Sequence, residues 1–427
     1  MPFLFLSLGR NGKLRSWLRI RRQSRFEALA LSNRKRSTAK FIAVTGSSGK
    51  STATALISHI LTQRYKVRPQ VLDNLYNGLL GTLAALEPDD QYVVAEAAVA
   101  KPGDMTPQAN ALKPDVSVVT MLGLEHRATF KTVENIANEK SQLVALTKPC
   151  GTAVLNIDEP LVWAMRELAQ CRVVSFGTST DADYQVLDVD YCFGRNLSIK
   201  IKVCGRSHSF EVPLNGKHFW VPLAAAVSAT LELGISPNEI ASSLLSFKPV
   251  FGRCSTYRPN DGPVFILDTA KAPYYSLHHF FKLIEVEKTG KTIVIIGQIS
   301  DYGGKNDRIY REVYEAAKKV ADIVIYVGEH SERSGASIDE ISQRRFKSFK
   351  HVIDACRYVK SIANEDDRIY IKSSPSLHLE RIAMFYDYVV RCDQNVCGSP
   401  RTCHKCGLIE FSPLAHLEEK YKRGEFR

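Results

Sequence analysis

The stretch FIAVTGSSGKSTATALISHIL, residues 41–61, sets an apolar run directly against a helical one. FIAVTG reads as a buried strand. STATALISHILTQR places Ala, Leu and Ile at helical spacing. Between them lie Gly46, Ser47, Ser48, Gly49 and Lys50, followed by the hydroxyls of Ser51 and Thr52. A strand, a glycine turn and a helix N-terminus make an anion site, because backbone N–H groups point outward and the helix dipole favours negative charge. Gly46 and Gly49 let the backbone close around phosphate oxygens, Lys50 neutralises phosphate charge, and the Ser51 hydroxyl suits Mg²⁺. The usual phosphate loop asks for a glycine at position 44. Val44 stands there, so this cradle is shorter.

Outward from the loop, strand-like runs alternate with helical ones. QYVVAEAAVA (91–100), DVSVVTML (115–122), GTAVLNID (151–158) and VVSFGT (173–178) read as further strands. This alternation predicts a parallel, doubly wound sheet. Residues 184–213 alternate polar and apolar and carry turn signals at Gly194 and Gly205, which predicts a small antiparallel insert. A helical pair follows (220–234 and 236–247). Near Gly252-Arg253 the pattern restarts, with PVFILDTA, KTIVIIGQIS, ADIVIYVGE and DRIYIKSS as four strands. The expected fold is α/β: a central P-loop parallel-sheet ATPase domain with a small antiparallel insert, then a smaller Rossmann-like α/β domain. The expected boundaries are a basic arm at 1–38, the central domain at 39–250, the second domain at 251–388 and a Cys-rich tail at 389–427.

The chain has 427 residues, 44% hydrophobic and 24% charged, and no apolar run long enough to span a bilayer. Its net charge of +12 sits almost wholly in residues 1–40, where eleven Lys/Arg face the single acid Glu27. The high pI therefore describes an arm and does not mark a nucleic-acid binder. The arm's apolar residues precede its charges and no small-residue cleavage site follows, so it is a poor secretory signal. Leu14, Trp17, Leu18 and Ile20 mixed with arginines suit a helix docked on the protein's own body, an interfacial helix on anionic lipid, or a partner contact. The expected location is cytoplasmic, with the membrane surface as a peripheral option.

Without a secretory signal the ten cysteines are expected as thiols or metal ligands. The last four, Cys392, Cys397, Cys403 and Cys406, have the spacing C-x4-C-x5-C-x2-C, with His404 inside. Four thiolates suit tetrahedral zinc. A redox role and unligated thiols are the other readings.

The short loop form T-G-x-x-G-K-[ST], here TGSSGKST at 45–52, is similar to that of the Mur ligase superfamily. The resemblance continues through NLYNGLLGTLAAL (74–86), VVAEAAVAKPGDM (93–105), PDVSVVTMLGLEH (114–126), ENIANEKSQLV (134–144) and GTAVLNIDEP (151–160). It runs on through NGKHFWVPLAAA (215–226), FGR (251–253), LDTAKAPYYSL (267–277), VIIGQISDYG (294–303) and IKSSPSLHLERI (371–382). The glutamate-then-Pro-Gly pattern resembles the branch that adds D-alanyl-D-alanine.

The resemblance implies an ATP-dependent ligase joining a carboxylate to an amine through an acyl phosphate. Lys50 and the loop amides from Gly46 to Thr52 would hold the phosphates. Ser51 and Glu96 would hold a first Mg²⁺ and His126 would help hold a second. Lys140 falls where most members carry a carbamylated lysine. Arg253 and Asp268 would reach the nucleotide from the second domain, and Lys372 and Ser373 match that domain's K-[GS]-S element. The implied cofactors are ATP and Mg²⁺; structural zinc in the tail is expected from the cysteine spacing alone, outside the resemblance. The partners are ATP and an unidentified carboxylate and amine, with no specific nucleic acid. A monomer is expected, since one chain supplies the whole ATP site.

Four positions depart from the family pattern: Met121 and Phe219 and Pro222 where asparagines are usual, and Lys271 in a histidine's place. Muramyl ligases also carry an N-terminal UDP-gripping domain, whereas residues 1–38 are all that precede the loop's strand. The expectation is therefore a non-standard substrate. The alternative is a catalytically diverged ATP-binding module that works by interaction. The short loop and the second-domain motifs disfavour a motor or signalling P-loop NTPase.

Overall fold

The computed structural model describes residues 7–73, 75–284, 290–396, 399 and 401–422. A long helix, α1 (Ser7–Arg36), leads into nine strands: β1 (Lys40–Thr45), β2 (Val67–Gln70), β3 (Tyr92–Glu96), β4 (Val116–Val119), β5 (Thr152–Asn156), β6 (Arg172–Gly177), β7 (Tyr184–Asp190), β8 (Leu197–Val203) and β9 (Arg206–Val212). The helices among and after them are α2 (Lys50–Thr62), α3 (Tyr76–Ala84), α4 (Met105–Leu112), α5 (Arg127–Phe130), α6 (Val133–Ala145), α7 (Pro160–Trp163), α8 (Trp220–Glu232) and α9 (Pro237–Leu244).

The strand order is β2-β3-β1-β4-β5-β6-β7-β8-β9. Strands β2 to β6 pair in parallel, and β3, β4 and β5 are almost continuously buried, as expected where helices cover both faces. Strands β7 to β9 are antiparallel, and β8 alternates buried with more exposed residues. The expected insert is a continuation of the main sheet, since β7 pairs in parallel with β6 at Phe176–Tyr184 and Gly177–Gln185. Its β8–β9 hairpin turns at Cys204 and Gly205, both at positive φ (47° and 80°), which is the twist a two-residue hairpin favours.

The second sheet uses β10 (Ser255–Tyr257), β11 (Val264–Asp268), β12 (Thr292–Ile296), β13 (Ile323–Val327), β14 (Phe346–Phe349) and β15 (Arg368–Lys372), in the order β10-β11-β15-β12-β13-β14. Only β10 pairs antiparallel. Its helices are α10 (Leu277–Ile284), α11 (Asn306–Ala317), α12 (Ile338–Ser342), α13 (Val352–Ile362) and α14 (Glu380–Met384), and α15 (Cys403–Cys406) and α16 (Pro413–Lys422) belong to the tail. The nine described cysteines are free thiols. No helix among the described residues is long and apolar enough to cross a membrane.

The last turns of α1 dock on the first sheet's helices, in line with the docked-helix reading. Asn33 donates to the Ala84 carbonyl (2.9 Å) just where α3 ends, and Arg34 donates twice to the Leu112 carbonyl (2.9 and 2.7 Å) where α4 ends. The Arg34 guanidinium also lies 3.6 Å from the centre of the Phe41 ring, and Ala30 is fully buried. Residues 1–6, Cys397 and the side chains of residues 7–20 lie outside those described.

Arg34→Ala removes a charged donor from two buried-edge carbonyl contacts and its stack on Phe41. The expected loss is about 1.5–3 kcal/mol of unfolding free energy, read by denaturant titration against Lys35→Ala, which should change little.

Candidate active site

Strand β1 lies between β3 and β4, and the chain order reverses there, since the connection from β1 runs to β2 on one side and that from β3 runs to β4 on the other. Open α/β sheets place ligand sites at such a point. The loop after β1 is pinned there by the end of β4. Ser47 N–H donates to the Met121 carbonyl (2.7 Å), the Thr120 hydroxyl donates to the Ser48 carbonyl (2.6 Å), and the Ser47 hydroxyl donates to the Gly123 carbonyl (2.9 Å). Gly46 must be glycine: its φ is +139°, and a Cβ would lie 2.1 Å from Thr120 Oγ1. Gly49, at φ +84°, turns the chain into α2.

Lys50, the first residue of α2, folds back to donate to the Gly46 carbonyl (2.5 Å). Burial pulls its ammonium down to about 7, against the attraction of Glu125. The Ser51 hydroxyl donates to Glu96 Oε2 (3.1 Å) at the end of β3, while Glu96 Oε1 accepts the Leu72 N–H (2.7 Å). Ser51 and Glu96 thus present two oxygens side by side. That is the hard donor set Mg²⁺ uses beside nucleotide phosphates, so the expected ion fits these two residues.

The structure places His126 and Lys140 around a residue the sequence reading passed over, Glu125. Lys140 is fully buried, with its Nζ 2.9 Å from Glu125 Oε1 and 3.0 Å from the Gly46 carbonyl. Lys271, from the second sheet's β11–α10 connection, puts its Nζ 2.7 Å from Glu125 Oε2. Burial alone would raise the Glu125 carboxyl; Lys140, Lys50 and Lys271 outweigh it and hold the group well below the usual carboxylate range. His126 adopts φ 49°, and its N–H donates to Asp301 Oδ1 (2.9 Å) of the second sheet's β12–α11 loop. Burial and then Lys271 pull its imidazole below the ordinary value.

Across the gap, Asp268 and Lys372 end the adjacent strands β11 and β15 and pair at 2.5 Å. Arg253 lines the same cavity, with its Nε buried and without a hydrogen-bond partner among the described residues. Such an orphaned donor awaits an acceptor. One cavity joins both walls: Ser47 to Thr52 on one side, Arg253, Asp268, Lys271 and Lys372 on the other. His218 and His279 complete it, stacked with centroids 5.5 Å apart. Burial, helped by His279, takes His218 down to about 3; burial takes His279 to about 4. Both are neutral rings at pH 7. The GKH of residues 216–218 pointed to His218 only through the family pattern, and nothing in the sequence tied His279 to it.

Residues 44–230 match the Mur ligase middle domain and residues 252–375 match the Mur ligase glutamate ligase domain. The UDP-N-acetylmuramoyl-tripeptide–D-alanyl-D-alanine ligase of Bacillus subtilis is 26% identical over 348 residues, spanning 80% of this chain and 75% of its own length. That of Rickettsia prowazekii is 22% identical over 370 residues, 84% of this chain and 82% of its own. In fold, the chain is similar to MurF from Acinetobacter baumannii, with a TM-score of 0.73 at 21% identity, covering 85% of this chain and 80% of that one. The MurF ligase of Thermotoga maritima, solved in complex with ADP, gives a TM-score of 0.71 at 20% identity, covering 85% and 83%.

Lys50 supplies a pH test. Above about pH 7 a growing share of free protein carries it neutral, and a polyphosphate favours the charged form. Mg-ATP binding at pH 8 should therefore take up close to one proton, and close to none at pH 6. Titration calorimetry in buffers of different ionisation enthalpy reads this, and Lys50→Arg should abolish the uptake.

Proposed function

The chain belongs to the Mur ligase family, and from that premise we propose that the two-walled cavity activates a carboxylate other than the standard muramyl peptide. The chain is an ATP-dependent ligase that joins a carboxylate to an amine. In this chemistry a carboxylate oxygen attacks the γ-phosphorus, ADP leaves, and the amine nitrogen displaces phosphate from the acyl phosphate. Positioning and charge stabilisation dominate such a transfer.

In this reading Lys50 and the loop amides hold the phosphates. Ser51 and Glu96 would hold Mg²⁺, with His126 beside a second ion. Bound there, the metal would neutralise phosphate charge. Arg253, which lines the cavity with an Nε unpaired among the described residues, would reach the nucleotide from the second domain, and Asp268 is held for the same task by Lys372. The neutral rings of His218 and His279 offer a flat face for the base. Lys140 is read as the position the family carbamylates; in the unmodified state its ammonium pairs with Glu125, and modification would break that pair and leave Lys50 and Lys271 as the nearby cations. The second domain is taken as 251–388 and the central one as 39–250.

The observation that carries the non-standard substrate is the location of the four departures. Met121, Phe219, Pro222 and Lys271 all line the nucleotide cavity. The curated relatives act on a UDP-N-acetylmuramoyl tripeptide and D-alanyl-D-alanine, as their names say. Here the amine is read as a small dipeptide-like acceptor and the carboxylate as something else. One chain lines both walls, so a monomer suffices. The cysteine tail is read as a structural zinc site. The docked turns of α1 serve as a brace, and contact with anionic lipid is left to the residues before Arg21.

The test is ADP release with Mg-ATP over a panel of muramyl peptides, amino acids, dipeptides and folates. Turnover should require both a carboxylate and an amine. Lys50→Ala and Ser51→Ala should each lower kcat by at least about 100-fold. Full activity with the muramyl tripeptide would refute the substrate reading, and turnover without any amine would refute the ligase.

A further inference from the structure

We propose that the tail's metal site is shared with the catalytic half of the chain: His378, in the loop between β15 and α14, is a zinc ligand beside Cys392, Cys403 and Cys406. This rests on the zinc reading of the tail and replaces its all-cysteine ligand set. Donors from three segments line one small cavity, with His378 on one side, Cys392 on another, and Cys403 and Cys406 on a third. His378, Glu380 and Cys403 are buried, and their ligand atoms lie within 4.8 Å of one another.

The backbone places the tail's cysteines at this cavity, and among the described residues Cys403 is the one that joins the close cluster with His378 and Glu380. Cys403 and Cys406 sit on the single turn of α15. Gly407 follows at φ +66°, and the Leu408 N–H donates to Cys406 Sγ (3.3 Å). An amide aimed at sulfur stabilises a metal-bound thiolate. Cys392 is delivered by the backbone, as the N–H groups of Arg391 and Cys392 both donate to the Ile409 carbonyl (2.9 and 3.1 Å).

The histidine is held as a ligand should be. Glu380 Oε1 lies 3.3 Å from His378 Nδ1 and also accepts the Cys403 N–H (2.9 Å). A carboxylate on one ring nitrogen fixes the orientation of a ligating histidine. His378 also adopts φ 51°, an uncommon conformation for a residue with a side chain. Three sulfurs and one imidazole suit tetrahedral zinc and not Mg²⁺. The ion would then anchor the loop that follows Lys372 to the tail.

Untagged full-length protein, purified without chelator, should carry about one zinc per chain by mass spectrometry of the metal. Zinc-edge X-ray absorption on that protein should show three sulfurs at about 2.3 Å and one nitrogen at about 2.0 Å. His378→Ala should lose at least half of the zinc. His378→Cys should restore it and give the all-sulfur Co²⁺ absorption spectrum. His416→Ala and Cys397→Ser should keep the metal. A four-sulfur shell in the natural protein, or loss of the nitrogen only in His416→Ala, overturns the role of His378 and leaves the zinc reading intact. A metal-free protein that also fails to bind added Zn²⁺ or Co²⁺ overturns both.

Discussion

Three lysines meet around Glu125, and the phosphate end of the cavity is built on that meeting. An ion taken fully out of water costs several kcal/mol even after the protein relaxes. Lys140 is fully buried, so its position on α6 is tenable as a charge only with Glu125 Oε1 at 2.9 Å and the Gly46 carbonyl at 3.0 Å. The same carboxylate reaches Lys271 with its other oxygen. One side chain on the loop after β4 therefore ties α6, the phosphate loop and the second sheet together. It also gives the substitution of lysine for the family's histidine at 271 a physical sense. A flexible ammonium spans the gap between the two sheets and ends on Glu125.

Two kinds of strand were legible in the sequence: those buried on both faces, and the alternating strands of the 184–213 segment. FIAVTG, QYVVAEAAVA and KTIVIIGQIS need no partner to be recognised, because continuous apolar runs of that length have few other uses. The strands that were not legible, β2, β10 and β14, are sheet edges or short flanking ribbons. Val67–Gln70 carries Pro69, which an edge tolerates and a central strand does not. The site shows a similar division. The loop and its hydroxyls lie within eight residues, so local spacing revealed them. Glu125 and Lys271 are 146 positions apart, and no local pattern links them. The tail cysteines stand out by their spacing, whereas the arrangement of His378 and Glu380 beside Cys403 exists only in the fold.

The basic arm shows how a charge run can be structural. Its docked end does not seek carboxylates alone. Asn33 and Arg34 cap the exposed carbonyls at the ends of α3 and α4, where the helix dipole is negative and the last backbone acceptors lack partners. Tyr76 on α3 adds a hydroxyl donated to Glu27, the arm's one acid (2.5 Å). Arg381 uses the same chemistry at the other end of the chain. It is fully buried, and its guanidinium donates to the carbonyls of Leu377, Cys392 and Gln394 (3.1, 3.0 and 2.6 Å). Both terminal segments are thus held by arginines that satisfy backbone oxygens, a mode that requires shape fit where a loose ion pair would not.

The distribution of change within the cavity separates two tasks. Lys50, Ser51 and Glu96 match the family's motif and sit within hydrogen-bond reach of one another or of the loop. Met121, Phe219 and Pro222, which depart from the family pattern, line the same cavity. Three asparagine-type amides replaced by apolar groups leave that lining with fewer directional donors, and the neutral pair His218 and His279 adds ring surface. Affinity for a base or acceptor there rests more on stacking and shape than on amide hydrogen bonds. In the proposed reading phosphoryl transfer would tolerate such a change, because fixed amides and cations on the loop side would stabilise its transition state. Selection of the substrate can therefore drift while the activation step keeps its geometry.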